Sequence, residues 1–167
     1  MKNLKTFSIC MLCSIMSVQA QQVFNVQNGT RTEFYNSLET AMQNAVAGDT
    51  IYLPAGAIQL QNDLVIDKKL AIIGVGWDID SIGGLLPTII RKGTGYADII
   101  FKSGCNGSLL HGCELGAIYF GKSGDDPATQ NIQNVTISRN RLFGAINLGF
   151  NETNNNNCLS TISNLKK

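Results

Sequence analysis

Apolar residues in this chain fall in short runs separated by turn-forming residues, too short for ordinary helices and too many for one hairpin. Between Gly48 and Gly76 the runs are Thr50 to Leu53, Leu64 to Ile66 and Leu70 to Ile73, all rich in β-branched or large aliphatic residues. Pro54, Gly56, Asn62, Asp63, Asp67 and Gly74 punctuate them. Val23 to Val26 reads as an earlier strand ending at a polar turn, Asn28-Gly29, and Thr88 to Arg91 and Asp98 to Phe101 read as later strands. One helical pattern stands apart. Leu38, Ala41, Met42, Ala45 and Val46 make a single apolar stripe at helical spacing. Asn36 with Glu39 predicts a capping box, and Gly48 predicts the stop.

Two later stretches resemble each other. Gly107 to Gly121 and Asn134 to Gly149 both read strand, turn, Gly-Ala, strand, Gly, with Ile118 and Ile146 in matching places. Their offset falls within the range of structural repeats, and Leu159 to Ser163 begins a third copy. The pattern predicts a parallel coil in which each strand lies about 4.8 Å above its equivalent one turn below. Ile51, Leu53, Ile66, Ile72, Ile90, Leu110, Ile118, Ile137 and Ile146 are the expected inward residues, with Asn and Gly at the corners.

The run Gly48-Asp-Thr-Ile-Tyr-Leu-Pro-Ala-Gly56, followed by Leu64-Val-Ile-Asp-Lys-Lys-Leu-Ala-Ile-Ile-Gly-Val-Gly76, resembles the N-terminal turns of the pectate-lyase-like superfamily. Asn134 to Asn140 resembles its later turns. The resemblance spans nearly all of residues 23–163. It implies an all-β fold: a right-handed parallel β-helix, a solenoid of about four to five turns, with one N-terminal capping α-helix over Ser37 to Ala47. It does not fix the chemistry, because such turns occur in lyases, hydrolases, epimerases and noncatalytic proteins. Active members have more turns, so the chain is expected to be a truncated form, or a subunit whose open C-terminal end meets another chain.

Composition narrows the class. The 167 residues are 44% hydrophobic and only 15% charged, with 17 glycines, as suits one domain of tight turns and buried strands. Residues 1–20 have the layout of a secretory signal peptide: Lys2 and Lys5, an apolar stretch from Phe7 to Val18, and Ala20 at the cut. The domain is then 21–167, and a secreted, periplasmic or cell-surface location follows. Losing those lysines takes 13 basic residues to 11 against 12 acidic ones, a net charge of about −1. That balance does not favour nucleic acid, and no later segment has the length of a membrane span. Cys105, Cys113 and Cys158 remain; a Cys105–Cys113 bridge and buried thiols are both open.

The candidate chemistry is sparse. Asp125 and Asp126, in an insertion between the repeats, are the residues for Ca²⁺ or for acid and base work on a sugar. Arg139 and Arg141, alternate residues of one expected strand, would project together. Their planar forks suit the carboxylates of acidic sugars. His111 lacks the first glycine of the Gly-His-Gly motif of polygalacturonase-like hydrolases and reads as a surface histidine. Gly74-Val-Gly76 lacks the third glycine and following helix of a dinucleotide turn, and reads as a corner. Asn154 to Asn157 reads as a turn, and Asn28, Asn106, Asn134 and Asn151 lie in glycosylation sequons. Two functions are expected to compete: a polysaccharide-acting enzyme, and a noncatalytic surface module for glycans or a partner subunit.

Overall fold

The computed structural model describes residues 21–78, 83–84, 86–121 and 132–147, and the backbone of 161–163. Residues 1–20, Asp125, Asp126, Asn151, the Asn154 to Asn157 run and Cys158 lie outside the described residues.

The chain opens with an antiparallel hairpin, β1 (Phe24–Asn28) and β2 (Arg31–Tyr35), then α1 (Leu38–Asn44). Next come β3 (Thr50–Tyr52), β4 (Gly56–Leu60) and β5 (Leu64–Ile66), then β6 (Ala71–Ile73), β7 (Thr88–Lys92), β8 (Gly95–Tyr96) and β9 (Ile99–Phe101). After these follow β10 (Leu109–His111), β11 (Cys113–Leu115) and β12 (Ile118–Phe120), then β13 (Thr136–Ser138), β14 (Arg141–Leu142), β15 (Ile146–Asn147) and β16 (Thr161–Ser163). Three sheets result, in the orders β16-β13-β10-β6-β3-β1-β2, β14-β11-β7-β4 and β15-β12-β9-β5.

This corrects the expectation of an all-β, right-handed parallel β-helix with a capping helix. The molecule is a multi-sheet, α/β-like arrangement whose first sheet is mixed: β1 pairs antiparallel with both β2 and β3. A second hairpin folds β8 back along β7. The cause lies in two Gly-Thr turns. Asn28 pairs with Arg31 and Lys92 with Gly95, leaving Gly29-Thr30 and Gly93-Thr94 as two-residue loops. Gly29 and Gly93 have φ of +55° and +58°, the first-position conformation that reverses a strand in a type II′ turn.

From β3 onward the pairing between successive passages is parallel, and Ile118 pairs with Ile146. One aliphatic column joins Ile51, Ile72, Leu110 and Ile137, all fully buried. A second joins Leu64, Ile99, Ile118 and Ile146, and beside it Phe101 stacks on Phe120 with centroids 5.2 Å apart. Of the expected inward residues all but Ile146 are buried, and Ile146 packs against the core.

The helix is shorter than its apolar stripe. Ser37, not Asn36, is the N-cap, its hydroxyl accepting from the Thr40 N–H at 3.1 Å. At the other end Asp49 accepts from the Val46 N–H at 2.8 Å, pulling the chain out of the helix. The Lys68 ammonium donates to the Met42 and Ala45 carbonyls at 3.1 and 3.0 Å, satisfying groups the helix leaves open. Val46 consequently faces solvent while Leu38, Ala41, Met42 and Ala45 are buried.

Candidate functional site

Strand alternation sends Ile90, Leu115 and Leu142 into the core and Arg91, Glu114 and Arg141 to the outer face of the second sheet. Glu114 pairs in register with Ile89 on one side and Arg141 on the other. Arg141 Nη1 lies 3.4 Å from Glu114 Oε1. Glu114 is only 5% exposed, and among the described residues this is the one hydrogen bond its carboxylate makes. Arg141 Nε is buried without a hydrogen-bond partner. A buried carboxylate held by one long contact is costly to maintain, which singles out this pair.

Next to it lies an aromatic ladder. Tyr96, delivered by the β7–β8 hairpin, stacks on Phe143 with centroids 3.9 Å apart and planes 9° from parallel. The Arg91 guanidinium lies 5.1 Å from the Tyr96 centroid and that of Arg141 4.9 Å from the Phe143 centroid. Gly116 makes room for the arrangement. A Cβ there would sit 2.5 Å from Asp98 Oδ1 and 3.2 Å from the Tyr96 carbonyl, so any larger residue would displace the returning hairpin. Phe143 stays 48% exposed.

Around the corner from β14, the last residue of β10 meets the last of β13. His111 Nδ1 and Ser138 Oγ are 2.9 Å apart. Burial first, and the charge of Arg139 second, hold the His111 imidazole below its ordinary value. The corner itself is built by Asn140, fully buried, whose Oδ1 accepts from the Cys113 N–H and whose Nδ2 donates to the Leu110 carbonyl, both at 2.9 Å. Arg139 precedes it with φ of +52°, a left-handed conformation costing a side-chain-bearing residue about 1 kcal/mol. In the preceding passage Gly112 holds that place at φ +71°.

Arg139 and Arg141 therefore do not share a strand as expected. They flank a corner: Arg139 is exposed beside His111, while Arg141 is committed to Glu114 and Phe143. Gly74 is a corner, as expected: a Cβ would meet the Gly112 carbonyl oxygen at 2.4 Å. Cys105 and Cys113 are both buried and are not bonded to each other, which decides against the bridge, and burial pushes the Cys113 thiol up to about 12. No group of His, Cys, Asp and Glu among the described residues is arranged to hold a metal ion, and no described helix is long and apolar enough to cross a membrane.

Glu114, Tyr96, Arg91 and Phe143 were not singled out by the sequence pattern. One signal was present. Leu109 and Thr136 are offset by 27 positions but Ile118 and Ile146 by 28, so one residue is added within the second passage. With the two Gly-Ala pairs aligned, that residue is Phe143. Comparison with known protein families, with curated proteins and with solved structures gives no match to this chain.

Proposed function

We propose that this chain is an exported, noncatalytic module that binds acidic glycans along the outer face of the second sheet. The observation that carries the reading is the ladder Arg91–Tyr96–Phe143–Arg141, in which residues far apart in sequence bring two guanidinium groups and two rings into one row. The exposed part of Phe143 offers apolar surface to a sugar face, and guanidinium groups match carboxylates in shape and charge. Glu114 fixes the position of the Arg141 guanidinium beside Phe143. Binding is favoured over cleavage because, among the described residues, the carboxylates beside the ladder are engaged within the fold, Glu114 with Arg141 and Asp98 with the Ala117 N–H, whereas acid–base hydrolysis of a glycosidic bond uses two at a set separation about that bond.

Titration calorimetry of the full chain against oligogalacturonate and against a neutral glucan tests this. Binding to the acidic chain alone is expected, weakening as salt screens the charges. An R91A/R141A double variant is expected to lose about tenfold or more in affinity. Equal affinity for the neutral glucan, or full binding by the double variant, would overturn the reading.

A further inference from the structure

Resting on that reading, we infer that Arg139 is a ligand-binding residue, extending the acidic-glycan site past the Asn140 corner to His111 and Ser138. The argument starts from the two left-handed corners of successive passages. Gly107 and Gly112 have φ of +78° and +71°; their counterparts Asn134 and Arg139 have +56° and +52°. Asparagine tolerates this conformation because its short side chain bonds locally, and glycine takes it without strain. Arginine has neither advantage. Arg139 is exposed, and among the described residues it makes no hydrogen bond, ion pair or ring contact that would offset the strain. A strained residue with no internal return points to a role outside the fold.

Its surroundings fit an anionic sugar. Arg139 lies close enough to His111 to act on the imidazole's titration, and Ser138 Oγ stands 2.9 Å from His111 Nδ1. A positive fork, a hydroxyl and a ring nitrogen thus share the end of the β10–β13 face. Arg141 and Phe143 begin the adjoining face two residues on. A chain bearing a carboxylate on each sugar could engage Arg141 and Arg139 with successive acidic groups, so the site selects an acidic polymer over a single acidic sugar.

The test compares R139G, R139K and R141A in the full chain by thermal unfolding and by binding of galacturonate oligomers of increasing length. R139G is expected to raise Tm by about 3 °C, as released strain does in a chain of this size, while lowering affinity for the longer oligomers about tenfold. R139K keeps the charge but not the planar fork, so its affinity is expected to fall between those of the parent chain and R139G, with no gain in Tm. His111, followed by NMR titration, is expected to become easier to protonate in R139G. R139G binding all oligomers like the parent chain overturns the inference, and so does an unchanged Tm, which would mean no strain is held. Failure of the parent chain to bind any acidic oligomer instead removes the reading on which the inference rests, and R141A matching the parent while R139G is weakened does the same.

Discussion

The passages 107–120 and 134–147 trace one path, the second hydrogen-bonded in parallel onto the first, and differ mainly where they leave the core. Inside, Leu110 is matched by Ile137, Leu115 by Leu142 and Ile118 by Ile146. At the corners and outside, glycines give way to Asn134 and Arg139, Cys113 to Asn140, Glu114 faces Arg141, and Phe143 is added. Like-on-like stacking constrains volume and apolarity in the interior, whereas a corner can be held by glycine or by a side chain such as Asn140. Surface chemistry is therefore free to change from one passage to the next, and the second supplies half of the candidate site, Ser138, Arg139, Arg141 and Phe143.

The interior is where a single change has the greatest effect. Leu110→Ala empties a fully buried site between Ile72 and Ile137 and is expected to cost about 3 kcal/mol in urea unfolding. A loss under ~1 kcal/mol would mean the column does not bear on stability. Asn140→Ala asks whether the corner of the second passage is held by its amide. It leaves the buried Cys113 N–H without its acceptor and removes a side-chain donor from the Leu110 carbonyl, an expected loss of about 2 kcal/mol by the same measurement. The added residue can be tested alone: Phe143→Ala removes the stack on Tyr96 and should cost about 1 kcal/mol, with a loss of near-ultraviolet dichroism.

The smallest effect is a dependence on pH. His111 titrates below 6.5 in the folded chain, so the unfolded chain takes up the proton first. The stability this imidazole contributes is complete above pH 6.5 and is lost as pH falls through the lower folded value. H111N should flatten the fall of Tm below about pH 6.5 relative to the parent chain.

Strands, inward residues and corners were readable in the sequence because each follows from local alternation or from backbone freedom: Ile51, Ile72 and Leu110 were expected inside and are. The hairpins were missed because Gly-Thr reads as a generic turn until its flanking residues are known to pair, Lys92 with Gly95 and Asn28 with Arg31. Helix length was misjudged because Asp49 and Lys68, outside the apolar stripe, decide where it ends. The ladder could not be read at all. Tyr96 and Phe143 meet only because a hairpin on one passage reaches an added residue on another, a relation that no window of neighbouring residues contains.

The sealed thiol at position 113 gives the fold a built-in clock. A group that is fully buried and ionises only near pH 12 should ignore alkylating reagents at neutral pH until the surrounding packing opens. The rate at which the peptide containing Cys113 gains a label, read by mass, therefore times the opening of the second sheet under native conditions, with no denaturant added.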